Sequence, residues 1–151
     1  MSKSACRAAA IILLDGQIAL IRREKNGRLY YVFPGGKQEE GETGDQAAAR
    51  EVNEELGLQV SVGRLVAQTW YRGREQYYYV CTVTGGQFGS GLGPEMIEPF
   101  TPESGTYLPV WLPVSDLHKY LVLPRPVAEL VQSVQSRGWP DQPRVFNEDS
   151  L

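Results

Sequence analysis

The sequence predicts an α/β (α+β) domain built on a mixed β-sheet with two helices. Short apolar runs, rich in β-branched and aromatic residues, alternate with turns that contain glycine. Two segments with helix start and stop signals stand among these runs, one in the first half and one near the C-terminus. The chain has 151 residues, a length that suits one domain with a substantial core.

Seven segments have the composition of β-strands and are bounded by turn residues. They are residues 7–14, 17–23, 30–33, 58–71, 76–84, 87–88 and 106–113. The first two form a predicted hairpin, because Asp15-Gly16 between them tolerates the positive φ angles of a tight turn. Residues 24–28 are expected to be a polar loop, and Pro34-Gly35-Gly36 ends the third strand. Gly63 marks a bulge or turn in the fourth.

The first helix is predicted for residues 43–56. Thr43 and Gln46 have the spacing of a capping box, and Gly57 stands where a left-handed C-cap is expected. A second helix is predicted for residues 126–137, which begin with a proline and are followed by a glycine.

Two regions of the chain are expected to lack regular structure. Residues 89–105 are rich in Gly and Pro and form a segment long enough to be a functional loop. The chain after Pro140 is polar. We therefore predict a single domain over residues 1–140 and a mobile tail over residues 141–151.

The composition excludes several classes of protein. The net charge is −3, from 15 basic and 18 acidic residues, so neither a nucleic acid polymer nor an anionic membrane is an expected partner. Cys6 and Cys81 fit neither a CxxC motif nor a disulfide framework. His118 is the single histidine, which excludes a His-rich zinc site. No segment has the long apolar run of a signal peptide or membrane helix, so a cytoplasmic protein is expected.

Three carboxylates of the first predicted helix share one face. At about 100° per residue, Glu55 lies about 40° from Glu51, and Glu54 lies about 60° away on the other side. Their mutual repulsion costs a few tenths of a kcal/mol per pair, and Arg50 is the one cation nearby to relieve it. A hard cation such as Mg²⁺, which takes oxygen ligands, would relieve it better. The alternative is an acidic helix face exposed to solvent.

The spacing around these carboxylates favours the metal-binding interpretation. Gly36 is followed by five residues, Glu42, seven residues and then the segment REVNEELGL, residues 50–58. This arrangement matches the Nudix box completely. Its seven fixed residues would coincide by chance on the order of 10⁻⁸ per position. The sequence therefore resembles the Nudix hydrolase family, most specifically over residues 36–58 and less specifically over most of the chain.

The resemblance implies a Nudix fold, in which a mixed sheet is sandwiched between helices and the box forms a loop–helix–loop. It implies a hydrolase that uses Mg²⁺, or Mn²⁺, to cleave a pyrophosphate bond in a nucleoside diphosphate linked to another group. Subclass markers are mostly missing, which leaves the general MutT-like class acting on a small nucleotide. A homodimer is compatible with the family. The alternative is a non-catalytic Nudix-fold module that senses a nucleotide without cleaving it.

The resemblance also assigns roles to individual residues. The catalytic residues it implies are Glu51, Glu54 and Arg50. The metal contacts it implies are Glu51, Glu54, Glu55, Glu42 and the main chain of Gly35 or Gly36. Relatives differ in which helix glutamate acts as the general base, so that choice stays open for this chain.

Several residues outside the box are further candidates. Arg22, Arg23 and Lys37 are expected near the box loop, and Arg23 and Lys37 are predicted to bind substrate phosphates. Relatives often take one more acidic ligand from a later loop. Glu95, Glu98 and Glu103 qualify by position, and Glu95 is ranked first and is predicted to lie at the substrate site.

The aromatic residues and the histidine each have two interpretations. Tyr31 either stacks on a base or packs in the core. Residues 70–71 and 77–79 are aromatic and include a potential stacking platform. Strand alternation places some of them in the core. His118 is expected at the surface, with a base role as the alternative.

Overall fold

The structure, a computed structural model, describes residues 6–93, 96 and 101–147. Within these residues the elements are β1 (Cys6–Leu14), β2 (Gln17–Lys25), β3 (Arg28–Val32), β4 (Gly35–Lys37), α1 (Gly44–Leu56), β5 (Leu58–Tyr71), β6 (Arg74–Gly86), β7 (Leu108–Pro113), β8 (Val122–Leu123), α2 (Arg125–Arg137) and β9 (Arg144–Phe146). A 3-10 helix, Val114–Lys119, joins β7 to β8.

The strands form one mixed sheet whose two halves separate. The order is β8-β3-β2-β1-β6-β5-β9, with β4 also pairing with β1 and β7 with β2. β1 and β2 pair at Leu13–Ile18 and Leu14–Gln17, next to their turn. Farther from the turn, β1 pairs with β4 and β6. β2 pairs with β7 from the turn onwards and with β3 farther along. The hairpin therefore belongs to both halves and leaves space between them.

The two helices cover opposite faces of the sheet. Ala10 and Ile12 of β1 pack in one core with Val52 of α1. Ile11, between them in sequence, packs in the other core with Val127 of α2. A strand buried on both faces is apolar throughout rather than alternating, as the run at residues 8–12 is. The predicted mixed sheet between helices is confirmed.

Helix α1 begins and ends where its sequence signals predict. The Gln46 amide donates to the Thr43 hydroxyl, and the Gln46 side chain accepts from the Thr43 amide, which completes the capping box. Gly57 ends the helix with φ 77°. α2 spans Arg125–Arg137, within one residue of the prediction. None of the helices among the described residues is both long and apolar enough to cross a membrane.

Two predicted segments are wrong. The polar loop at residues 24–28 is a two-residue turn, because Asn26 (φ 53°) and Gly27 (φ 77°) connect β2 directly to β3. The short strand at residues 87–88 does not form. β6 ends at Gly86, and the Gln87 amide donates to the Gly57 carbonyl, so this segment packs against the end of α1.

Three short strands, β4, β8 and β9, were not predicted. Gly35 and Gly36 do not end the sheet but pair with Ala9 and Ala8 of β1. β9 pairs in parallel with β5, so residues 144–146 of the predicted mobile tail belong to the sheet. Such short strands depend on the partner that they meet rather than on their own composition. The predicted irregularity at Gly63 is confirmed by a register shift between Val62 and Leu65.

Candidate active site

A cleft of about 950 Å³ opens between the two halves of the sheet. Five cationic residues line it, namely Arg7, Arg23, Arg28, Lys37 and Arg74. Three acidic residues line it, namely Glu39, Glu51 and Glu55. The cleft therefore carries more cations than anions although the chain as a whole carries a net charge of −3. Such a surface attracts an anionic ligand.

Two glutamates of α1 reach this cleft and are buried. Glu51 is 8% exposed and Glu55 is 6% exposed. The Gly35 amide donates a 2.9 Å hydrogen bond to Glu55 Oε1. A Cβ atom at Gly36 would lie 2.5 Å from Glu51 Cδ and Oε2. The missing Cβ at Gly36 therefore lets the Glu51 carboxylate lie directly against β4, and the Gly35 amide holds Glu55 beside the same strand.

Arg50 holds several carboxylates together. Its Nε donates to Glu42 Oε2 at 2.7 Å and its Nη2 donates to Glu42 Oε1 at 3.1 Å, a bidentate pair. Its Nη1 donates to Glu51 Oε2 at 3.1 Å and to both oxygens of Glu54 at 3.3 Å. The bond from Arg50 lowers the pKa of Glu42, and the same bond raises the pKa of Arg50 further. Arg50 thus donates to two carboxylates of the helix, Glu51 and Glu54, which is the contact expected of an arginine that orients them.

The donors present suit a hard divalent cation. Among the described residues, no group of three or more His, Cys, Asp or Glu side chains forms a ready metal centre. Mg²⁺ does not require one, because it is usually bound by one or two carboxylates together with water and substrate phosphates. Glu51 and Glu55 supply such carboxylates in the cleft, and the absence of a Cβ at Gly36 keeps the Glu51 carboxylate beside the main chain.

Glu42 is engaged differently from the other box glutamates. Its Oε1 accepts from the Glu39 amide at 2.9 Å as well as from Arg50, and its Oε2 accepts from Arg50. Both oxygens are therefore used by protein donors. This geometry favours a role in holding Arg50 over direct contact with a metal.

The three cationic residues expected near the box loop differ in their positions. Lys37 and Arg23 line the cleft, whereas Arg22 does not. Arg23 is already engaged, because its Nε donates to the Thr106 carbonyl at 2.8 Å and its guanidinium lies 3.7 Å from the centre of the Tyr107 ring. Arg23 therefore fastens the segment before β7 to β2, and this leaves Lys37 as the less engaged cation.

The remaining candidates lie apart from the cleft or outside the description. Glu95 and Glu98 fall outside the described residues. Glu103 is exposed and does not line the cleft. Tyr31 is buried in the core, which is the packing role rather than base stacking. His118 is exposed on the 3-10 helix and is also absent from the cleft lining.

Most residues of the cleft wall are not marked by any pattern in the sequence. The unpredicted polar and aromatic residues are Arg7, Arg28, Tyr30, Phe33, Gln38, Glu39, Thr69, Arg74, Gln76 and Tyr107. Tyr71 and Tyr78 do line it, from among the aromatic residues considered for stacking. Most of the missed residues come from strands that are distant in sequence, and no local spacing marks them. The order of the strands in the sheet is needed to identify them.

The chain matches the model of a known protein family and several known proteins. A family model described as the NUDIX domain matches residues 5–132. The CTP pyrophosphohydrolase of Escherichia coli (strain K12) is 44% identical over 61 residues, which cover 39% of this chain and 45% of that protein. A MutT-like protein of Streptomyces ambofaciens is 37% identical over 98 residues, which cover 64% of this chain and 62% of that protein.

A solved structure agrees over most of the chain. The solution structure of the E. coli ORF135 protein has a TM-score of 0.61 and 27% identity, and the match covers 87% of this chain and 90% of that one. The chain spans between 23% and 62% of the length of four curated relatives that it matches.

Proposed function

We propose that this chain, which belongs to the NUDIX domain family, is a Mg²⁺-dependent hydrolase that cleaves a pyrophosphate bond in a nucleoside diphosphate linked to another group. Family membership confirms the resemblance found in residues 36–58 and the assignment to the Nudix hydrolases. These enzymes generally use divalent metal ions and act on small nucleotides. The observation that carries the proposal is the pair of buried carboxylates, Glu51 and Glu55, that opens into a cleft with excess cations.

The charges of the cleft suit both parts of this reaction. A diphosphate is anionic and repels hydroxide, so its hydrolysis needs positive charge near the phosphate oxygens. The cationic residues of the wall supply part of that charge. Glu51 and Glu55 would instead hold metal ions, and a purely anion-binding protein would have no use for buried carboxylates there.

Mg²⁺ would be held by Glu51 and Glu55, with Glu54 and a main-chain carbonyl of Gly35 or Gly36 as further donors. When bound, it would neutralise phosphate oxygens and lower the pKa of a water molecule. Mn²⁺ has similar ligand preferences and could replace it.

The protein residues have separate tasks. Arg50 keeps Glu51 and Glu54 oriented, and the Gly35 amide keeps Glu55 in place. One helix glutamate accepts the proton of the attacking water. We favour Glu51 or Glu55, because both line the cleft, while the Glu54 side chain is 36% exposed and does not line it.

The first substrates to test are nucleoside triphosphates. The similarity to a CTP pyrophosphohydrolase supports this choice over the other nucleotide derivatives that the family cleaves. The homodimer expected from the resemblance stays a prediction.

The test is pyrophosphate and orthophosphate release from a panel of nucleotides in Mg²⁺, Mn²⁺ or EDTA. The panel contains canonical and oxidised triphosphates, ADP-ribose, dinucleoside polyphosphates and sugar nucleotides. Glu51→Gln should keep the fold and lower turnover by about 10²- to 10⁴-fold, the usual effect of losing a general base. Glu40→Gln is the matched control, because Glu40 is an exposed box-loop glutamate outside the cleft lining.

Two results would contradict the proposal. Full turnover in EDTA would exclude metal dependence, and wild-type turnover by Glu51→Gln would exclude the assigned site. Tight nucleotide binding in Mg²⁺ without turnover of any compound would favour the sensing module.

A further inference from the structure

Four side chains of the cleft wall are aligned across four neighbouring strands. Lys37 of β4 is opposite Arg7 of β1, Arg7 is opposite Gln76 of β6, and Gln76 is opposite Thr69 of β5. All four residues line the cleft. Because neighbouring strands lie about 4.8 Å apart, the row is about 14 Å long. Its Lys37 end is next in sequence to Gly36, which contacts Glu51.

The guanidinium of Arg7 is fixed by a neutral hydrogen-bond network. Arg7 Nε donates to Gln76 Oε1 at 2.9 Å. Gln76 Nε2 donates to the Tyr78 hydroxyl at 2.6 Å, and Thr69 also hydrogen-bonds that hydroxyl. Tyr78 is fully buried, so the network is anchored in the core. The network engages Nε of Arg7 and leaves the two terminal guanidinium nitrogens to bind a ligand.

The network fixes Arg7 without neutralising its charge. Arg50, in contrast, forms ion pairs with four carboxylates. Within the described part of the chain, neither Arg7 nor Lys37 forms an ion pair. Like charges directly opposite each other on adjacent strands are destabilising. An anion bound between Arg7 and Lys37 would relieve that repulsion.

We propose that Arg7 and Lys37 form an anion clamp that binds two neighbouring phosphate groups of the substrate, with Gln76 as the residue that positions Arg7. The terminal nitrogens of a guanidinium match two phosphate oxygens, and an ammonium adds a second point of contact. This inference rests on the proposed function and specifies how the same cleft recognises its substrate. Two cations side by side favour a diphosphate over a monophosphate.

The clamp can be tested without turnover by measuring inorganic pyrophosphate binding to the full chain in excess EDTA with isothermal titration calorimetry. Wild-type protein should bind pyrophosphate more tightly than orthophosphate, with affinity that falls as salt rises. Arg7→Gln should weaken pyrophosphate binding about tenfold, since it removes a charge-assisted hydrogen-bond pair. Arg7→Lys keeps the charge but not the paired donors, so its affinity for pyrophosphate should lie between those of the wild type and Arg7→Gln. Arg137→Gln removes the same charge from an exposed position outside the cleft and should change nothing.

Gln76→Glu tests whether binding needs the charge of the Arg7 guanidinium in addition to its position. The new carboxylate can still accept from Arg7 Nε, but it neutralises the guanidinium, so pyrophosphate binding should weaken about as much as in Arg7→Gln. A neutral Gln76→Leu, which releases Arg7, should weaken binding less.

The proposal is overturned if wild-type protein does not bind pyrophosphate in EDTA, if Arg7→Gln behaves like Arg137→Gln, or if Gln76→Glu binds as wild type. If Arg7→Gln does not fold, Arg7→Lys and Gln76→Glu decide. Glu51→Gln reports separately on the proposed function, because it should lower turnover by about 10²- to 10⁴-fold while retaining metal-free pyrophosphate binding. Loss of one property therefore does not imply loss of the other.

Discussion

Replacing Gly36 by alanine tests how closely the Glu51 carboxylate must lie against β4. A Cβ at this position would be 2.5 Å from Glu51 Cδ and Oε2 and 2.8 Å from Oε1. Ordinary contact begins at 3.4 Å, so the carboxylate must withdraw by roughly 1 Å. The φ angle of Gly36 lies outside the left-handed region, so alanine itself is not strained there.

This displacement should affect the rate more than the stability. The obstructed atoms are at the far end of a flexible side chain, so the loss of folding free energy should be about 1 kcal/mol or less, at the low end of the cost of overpacking. A catalytic group misplaced by about 1 Å can lower the rate about 100-fold. We therefore expect Gly36→Ala to fold normally and to lose about 99% of metal-dependent turnover.

The assay compares thermal unfolding with pyrophosphate release in Mg²⁺ for Gly36→Ala and Gly35→Ala. At Gly35 the new Cβ would meet the Ala8 carbonyl oxygen and lie 2.7 Å from Ala9 Cα, and these backbone atoms cannot withdraw easily. Gly35→Ala should therefore lower stability by about 1–3 kcal/mol. Adjacent glycines are thus expected to give different phenotypes.

Wild-type turnover by a folded Gly36→Ala protein would refute this reasoning, because it would show that the position of Glu51 against β4 is not required. Equal destabilisation by the two substitutions would also refute it, since the carboxylate would then not be the part that moves.

Two further predictions concern stability. Gly57→Ala should lower the free energy of unfolding by about 2–4 kcal/mol in urea titration, because φ is 77° and a Cβ would also collide with Ser90 and lie 2.7 Å from the Gln87 carbonyl oxygen; a loss below about 1 kcal/mol would contradict the role assigned to this cap. Burial raises the pKa of the Cys81 thiol from 9.0 to about 12. In the unfolded chain this thiol ionises first, so stability should fall as pH rises from 9 towards 12. The dependence should be smaller in Cys81→Ala, and Cys81 of the folded protein should resist alkylation at pH 9; rapid alkylation without unfolding would contradict its burial.

The features that short-range chemistry controls were predicted correctly. The capping box of Thr43 and Gln46 and the left-handed Gly57 define α1 by contacts within a few residues. Helical geometry likewise places Glu51 and Glu55 on one side of α1, whatever surrounds the helix. The Gly36–Leu58 spacing was therefore sufficient to indicate the family and the acidic centre of the site.

The roles that depend on strand pairing were decided by the tertiary structure. Arg7 and Gln76 are 69 positions apart, and only the parallel pairing of β1 with β6 brings them together. Arg23 was predicted to bind substrate, yet it is engaged by the Thr106 carbonyl, 83 positions away. By itself the sequence determined the helix, its carboxylates and the family. The tertiary structure decided which cations face those carboxylates, because sheet order brings together residues whose separation along the chain carries no periodic signal.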